Sequence, residues 1–595
     1  MKKILIYFFT VSVLIIPLGC QKNFLDKTPE GDLTLVDVFS KANYTESFLT
    51  SVYASLPYEI DMPDDGGKNP FVGSADELEI TYGGAFSHLM NDGSWNPTNT
   101  NRINIWLDSY RGIRKANIFM ENIDKLKEAT DAVKSRWKGE AIFLRAFFYF
   151  QLIRVYGPVP LIDHSLPTDD NFNGYKRAPL KDLVNFIVKD CDNAGALLPI
   201  RITNTAEVGR ANKAACLALK ARVLLYAASP LWNGNSDYAN FVDQDGVKLF
   251  PAQDNNRWAV AATAAKDCID RSEAAGYKLY REANNDPIAS YQNLFIVNNN
   301  DEILFARDMG IWGHLDQCSE PRSLGGYSIM CPTQEIVDSY EMANGLAPIT
   351  GYNADGTPII NAASGYQETG YTNVADPKGN YVNGTRMMYV GREPRFYASI
   401  NFTGAKWKTR PQLEFFKTGA DGKVGSDYCK TGYLMKKFAD PNANILKNQY
   451  GLKTWICFRL GEQYLNYAEA LNESQGAVAD VYKYVNLIRD RAGLPGLPTG
   501  LSKDEMRDKI RHERLIELAF ESHRYFDTHR WKIALTTDSK PIHGMDITAG
   551  TSLQDESYYK RTVIENRVFT NKHYLWPIQQ GEIDKYPQLV QNPGW

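Results

Sequence analysis

Two long stretches with apolar residues at helical spacing fix what this chain can become. Within 136–157, Trp137, Ala141, Leu144, Phe148 and Leu152 recur at steps of three or four, and the pattern stops at Gly157-Pro158. Within 211–229, Ala214, Leu217, Ala218, Ala221, Leu224, Leu225 and Ala228 cover one face before Pro230. A face this rich in alanine lets a second helix come close, since no bulky side chain holds the axes apart. Further helices are expected at about 36–55, 102–127, 180–197, 258–275, 461–473, 478–492 and 503–531, the last opened by the capping box Ser502-Lys503-Asp504-Glu505. Helices arriving in pairs fit repeats of the tetratricopeptide kind, and a plain helical bundle fits the periodicity as well.

Residues 298–458 read differently: Gly, Asn, Pro and Tyr are frequent, and turn pairs such as Asn383-Gly384 and Asp421-Gly422 recur between short apolar runs. A similar stretch spans 61–101. The expected fold class is therefore mainly α, with tetratricopeptide-like helical repeats and a large loop-rich region containing short strands. Loops this long in a compact protein usually bind something, so the site is expected there. With 66 basic against 70 acidic residues, there is no electrostatic footprint for nucleic acid.

The chain opens with Met1-Lys2-Lys3, then an apolar run from Ile4 to Ile16, then Pro17-Leu18-Gly19-Cys20. That is a secretory signal over 1–19. A small residue followed by Cys resembles a lipoprotein signal, with Cys20 acylated, although Pro17 stands where the usual pattern has Leu; a soluble secreted chain with a stray cysteine is the alternative. Seven cysteines follow, at 191, 216, 268, 318, 331, 429 and 457, with no C-x-x-C pair. They are expected mostly as isolated buried thiols, with a Cys318–Cys331 bridge left open and cysteine-based zinc sites excluded.

Several segments, in order along the chain, resemble the SusD/RagB family of outer-membrane lipoproteins. They are Cys20-Gln-Lys-Asn-Phe-Leu-Asp26 with Pro29, Gly139-Glu-Ala-Ile-Phe-Leu-Arg-Ala-Phe-Phe-Tyr-Phe150 running into Tyr156-Gly-Pro-Val-Pro160, and Pro332-Thr-Gln-Glu-Ile-Val-Asp338. Then come Arg459-Leu-Gly-Glu-Gln-Tyr-Leu-Asn-Tyr-Ala-Glu-Ala470, Ile488-Arg-Asp-Arg-Ala-Gly493, Glu513-Arg514, Glu517-Leu-Ala-Phe-Glu521, Arg524-Tyr-Phe-Asp527 and Arg530-Trp531. Leu575-Trp-Pro-Ile578 and Gln591-Asn-Pro-Gly-Trp595 close the series. The resemblance implies an N-terminal part over 20–230 and a C-terminal part over 270–595. It also implies a lipid-anchored protein on the outside of the outer membrane, seated over a SusC-like TonB-dependent transporter, that captures an oligosaccharide without cleaving it. Peptide cargo on the same scaffold is the first rival and a surface glycosidase the second.

Glu513, Glu517 and Glu521 recur at steps of four and tempt toward glycosidase chemistry. Arg514 and Arg524 lie three residues from Glu517 and Glu521, so local ion pairing is the simpler account. No H-E-x-x-H, G-x-S-x-G, P-loop or G-x-G-x-x-G pattern is present, and no catalytic residue, cofactor or metal is expected. Sugars present apolar C–H faces rimmed by hydroxyls, so a site needs an exposed ring beside polar partners. Trp95, in Asn91-Asp-Gly-Ser-Trp-Asn-Pro97, fits with Asn96 beside it; a ring plugged onto the core is the alternative. In this family a ring in the corresponding loop commonly stacks on sugar. Asp76 and Glu77 are candidates for hydroxyl contacts. Trp312 lies between glycines in Met309-Gly-Ile-Trp-Gly-His314, and Tyr327 follows Gly325-Gly326. Trp407, between Lys406 and Lys408, is expected to pack with solvated lysines around it.

Overall fold

A computed structural model describes residues 33–63, 69–100, 103, 105–167, 169–171 and 173–595. The expected leader over 1–19 and the acylation site Cys20 lie outside the described residues. Among those described, no helix is long and apolar enough to cross a membrane.

The helical part is a stack in which each helix packs against the next: Ile105–Asn122, Asp131–Tyr156, Leu180–Leu197, Lys213–Ala228 and Arg257–Ala274. It continues across a long excursion of the chain, with Leu460–Gln475 packing on Arg257–Ala274 and then on Ala479–Arg491. Starts and stops follow local chemistry. The Thr130 hydroxyl accepts the Val133 N–H and the Asn212 side chain accepts the Ala215 N–H, while Gly157 takes φ 69° to end the helix Asp131–Tyr156. From Gly139 onward every residue of that helix but Arg145 is buried, because helices flank it on both faces. Gly112 permits the closest approach, as a Cβ there would stand 2.5 Å from the Phe148 ring. The predominantly helical expectation holds, including the alanine-lined helix and its close neighbours.

The early loop-rich stretch contributes one short strand, β1 (Leu78–Ile80). The excursion itself is framed by an antiparallel pair, β2 (Ile303–Ile311) against the strand Leu452–Arg459, with Ile311 opposite Leu452 at the open end. Between them the chain forms a second core built on rings, among them Tyr389, Phe396, Phe402 and Tyr433. β1 pairs with β3 (Met330–Pro332), Glu79 opposite Cys331, which stitches the early stretch to this core. Short strands within an irregular region are as expected.

The expected helix over 503–531 is in fact two, Lys503–Glu517 and His523–Arg530. Phe520 and Ser522 adopt left-handed φ of 64° and 63° between them. The Glu517 carbonyl, which a continuous helix would bond internally, instead accepts from the Arg459 guanidinium (2.9 Å) and the Tyr291 hydroxyl (2.7 Å). The Phe520 N–H is taken by the Glu77 carboxyl at 3.0 Å. Partners distant in sequence thus satisfy the groups that the break exposes. The capping box at Ser502 and Glu505 is formed as expected.

Candidate functional site

The carboxylate stripe on the last helices belongs to a buried ion network. Arg459 bonds Glu517 (2.8 Å), Glu521 (2.8 Å) and Glu302 (2.9 Å), and Arg491 bonds Glu517 and Glu302. Arg395 reaches Glu513 at 2.6 Å and Glu517 at 3.1 Å. Burial alone would raise the Glu517 carboxyl, but Arg491, Arg459 and Arg395 outweigh it and hold the group far below the carboxylate range. Ion pairing is therefore the role of the stripe, with partners other than those expected. Arg514 instead pairs with Asp527 at 2.9 Å, and Arg524 grips Asp76. The cations come from remote strands and helices, which spacing along one helix cannot reveal.

Of the expected ligand contacts, Trp95 and Glu77 are buried, and Asp76 is half-buried and held by an arginine. Trp95 is 2% exposed. Its ring lies edge-on to Trp576 (centroids 5.3 Å) and Trp595 (4.8 Å) and beside His573. The chain's C-terminal segment closes over the Trp95 loop, with the Val568 N–H donating to the Asn91 carbonyl at 2.7 Å, so no ring face is presented to a ligand. Asp76 holds Arg524 through both carboxylate oxygens, at 2.7 and 2.6 Å. Glu77 is fully buried, with one oxygen on Phe520 N–H and the other without a hydrogen-bond partner. Burial pushes its carboxyl up to about 8, so it is neutral at pH 7. Asn96 folds onto its own loop, its side-chain oxygen accepting from the Thr98 N–H and hydroxyl.

Trp407 is buried too. Its indole N–H donates to Glu320 at 2.6 Å, and Lys408 pairs with the same carboxylate in the interior instead of standing in solvent.

Trp312 and Tyr327 are where a ligand can reach them. Trp312 caps the open end of β2, half-buried, edge-on to Tyr58 (5.8 Å, 89°) and next to His314. The Arg307 guanidinium lies over the other ring of that pair, 4.9 Å from the Tyr58 centroid. The same arginine lines a groove of about 380 Å³ with Thr50, Tyr53, Arg210 and Asp308. On the far side of Trp312, the Tyr450 ring covers Gly313 so closely that a Cβ there would stand 2.4 Å from it, which is why glycine follows the tryptophan. The Tyr450 hydroxyl accepts from the Gln317 amide (2.8 Å), and the Gln317 carbonyl accepts the Tyr327 N–H (2.7 Å). Tyr327 itself is 39% exposed. The Tyr58–Trp312 ring pair and the turn that carries Gly313, Gln317 and Tyr327 thus share one corner with Tyr450, beside Ile311 and Leu452, which are 72% and 55% exposed. His314 pairs with Asp61 at 3.3 Å and supplies polar groups there. Of the rings singled out in the sequence, Trp312 and Tyr327 are accessible, while Tyr58, Arg307 and Tyr450 beside them carried no sequence signal. The pairing of β2 with the strand Leu452–Arg459 brings Tyr450 in, and Tyr58 comes from the loop that follows the helix Ala42–Tyr53.

Among the described residues, Glu79, His88 and Glu565 place ligand atoms within 4.8 Å of one another, a spacing compatible with a metal ion. Lys430 already sits 2.7 Å from Glu79, and Arg567 bonds Glu79 (3.1 Å) and Glu565 (2.9 Å). These cations occupy the oxygens that a metal would need.

Residues 278–595 match the SusD family. Residues 23–225 match a family described as starch-binding associating with outer membrane. A SusD-like protein from Bacteroides ovatus is 22% identical over 534 residues, covering 86% of this chain and 80% of that protein. SusD-like protein P2 from Formosa agariphila is 22% identical over 82% of this chain and 80% of its own length. The solved structure of a SusD-like protein from Bacteroides fragilis superposes with a TM-score of 0.73 at 26% identity, covering 94% of this chain and 98% of that one. A second, titled a SusD-like carbohydrate binding protein from the same species, has a TM-score of 0.71 at 23% identity over 93% of this chain and all of that one, a likeness of fold. With a single family matched across more than half its length and relatives aligned over most of the rest, the chain belongs to the SusD family.

Proposed function

We propose that the protein is a glycan-binding receptor of the outer membrane, anchored outside the cell through Cys20, that hands an oligosaccharide to a SusC-like TonB-dependent transporter without cleaving it. The observation that carries the reading is the half-buried Trp312–Tyr58 pair, whose Tyr58 ring lies under Arg307, a residue that also lines the groove with Thr50, Tyr53 and Asp308. Half-buried rings held edge to face offer a rigid flat surface for sugar C–H faces, and a guanidinium, carboxylate and hydroxyls stand within reach of a sugar's rim. Two further observations support it. The tempting acids at 513, 517 and 521 are buried and committed to arginines, and several relatives carry SusD-like names. Peptide cargo is the rival at the same corner, since rings beside charged groups also suit side chains.

Titration of the purified protein with a panel of oligosaccharides and a peptide library decides between them. Binding confined to saccharides, abolished or weakened by Trp312→Ala, with no cleavage products on prolonged incubation, is expected. Retention of full affinity in that variant would move the site elsewhere, the first place to look being the groove of about 190 Å³ between Trp106, Tyr110 and Tyr586. Released sugars would make the protein an enzyme. Transporter pairing is tested separately by mild detergent extraction, which should recover the protein together with a large β-barrel.

A further inference from the structure

The loop-rich half holds two thiols side by side. Cys331 stands on β3 opposite Glu79 of β1, and residues 429–431 run along it. The Lys430 N–H donates to Cys331 Sγ (3.2 Å), and the Thr431 hydroxyl donates to the Pro332 carbonyl (2.6 Å). This brings the Cys429 thiol, which donates to the Tyr433 carbonyl at 2.6 Å, beside that of Cys331, near enough for each to shift the other's proton affinity; both are free thiols in the folded chain. Cys318, left open as a partner in sequence, is not bridged to Cys331. Cys331 and Cys429 lie 98 positions apart and share no motif, so only the pairing of β1 with β3 and the turn at 429–433 brings them together.

We propose that Cys331 and Cys429 form a disulfide when the chain folds in an oxidising compartment. In the closed fold burial would push the Cys331 thiol up, but hydrogen bonds involving Cys429, Thr81 and the backbone N–H groups of Lys430 and Thr431 outweigh it; the exchange itself takes place before that closure, on thiols still open to the oxidant. The Cys331 thiolate attacks one sulfur of a disulfide-bearing oxidant, an envelope thiol oxidase or glutathione disulfide, and the oxidant's other sulfur leaves as a thiolate. Cys429, after losing its proton, attacks the Cys331 sulfur of the mixed disulfide and expels the second oxidant thiolate. Two protein thiols lose two electrons and two protons, and the oxidant's disulfide becomes two thiols. Both sulfurs are buried in the folded chain, so exchange precedes the closure of residues 429–433 over β3. The bond would enclose most of the loop-rich region, where covalent restriction of the unfolded chain has most effect. That the chain meets an oxidant in the cell rests on its proposed export.

The test is a thiol map of the full chain, exported with its leader and extracted in mild detergent. The protein is denatured and alkylated before and after reduction, and the peptides are identified by mass spectrometry. Cys331 and Cys429 are expected to alkylate only after reduction and to appear as one joined peptide pair, while Cys191, Cys216, Cys268, Cys318 and Cys457 alkylate without it. The chain lacking its leader, refolded with glutathione disulfide, is mapped in parallel and should show the same pair. A link formed there but absent from exported protein would count against export and leave the pairing standing. Thiols at 331 and 429 unlinked in both preparations, or linked to other cysteines, would overturn the proposal.

Discussion

Glu77 is a buried group whose titration should leave a legible mark on stability. It lies wholly inside the fold, and burial, reinforced by the neighbouring Asp76, pushes its carboxyl up to about 8 in spite of the hydrogen bond from Phe520. In the unfolded chain the same carboxyl ionises near its ordinary value of 4.5. Between those values the native state keeps a proton that the unfolded state has released. The stability from this group is therefore full below the unfolded value and is lost as pH rises through the folded one. With each unit worth about 1.4 kcal/mol, the loss from about pH 5 to about pH 9 comes to roughly 4 kcal/mol. Glu77→Gln abolishes the titration yet keeps an oxygen for the Phe520 N–H. Urea unfolding of both proteins across that range isolates the effect, because other buried acids, such as Asp538 with its carboxyl pushed up to about 7, are common to both and cancel in the difference. The variant should gain on the parent by about 4 kcal/mol between the two ends. A difference that stays flat with pH would refute the reasoning, since it would mean that Glu77 titrates alike in the folded and unfolded chains.

Trp312→Ala should weaken saccharide binding by about tenfold or more, the loss of one stacked ring, with the melting temperature nearly unchanged; calorimetric titration and a thermal scan read both. Trp95→Ala should do the reverse, costing about 3–5 kcal/mol in denaturant unfolding by opening a cavity against Trp576 and Trp595, while folded protein keeps its affinity. Arg459→Met should destabilise by about 3–5 kcal/mol, because Glu302, Glu517 and Glu521 lose a shared cation in the interior; part of that loss should return when Glu521→Leu is added, as read in the same unfolding assay.

The helical stack was legible because its information is local. The alanine face of Lys213–Ala228 and the stripe through Trp137 and Phe148 state their partners' closeness in the residues themselves, and the capping side chains at Thr130, Asn212 and Ser502 stand within three residues of the N–H groups they satisfy. The break after Glu517 was not legible for the opposite reason. Residues 503–531 contain no proline or glycine to mark it, and what makes the left-handed turn tolerable is Arg459, Tyr291 and Glu77, each more than fifty residues away. A helix whose terminal groups are satisfied by remote side chains carries no stop signal of its own.

The same distinction separates the two tryptophans that looked alike in sequence. Both follow a glycine within two residues and sit among turn formers, so local chemistry ranks them equally. Trp95 is decided by residues 568–595, which close over it; Trp312 follows the last rung of a strand pair, Ile311 against Leu452, and is covered only in part, by Tyr58 and His314 among others. Burial of a loop aromatic is a property of what packs on the loop, and a chain that ends in Trp576, Trp595 and His573 has rings enough to fill such a role. A tryptophan at a strand terminus that faces outward keeps its face only if the next element leaves it room, and Gly313 provides that room by letting Tyr450 lie flat on the backbone beside it. Trp312 is therefore accessible because a glycine and a ladder end coincide at one corner of the loop-rich half, which is the place to probe first for the protein's cargo.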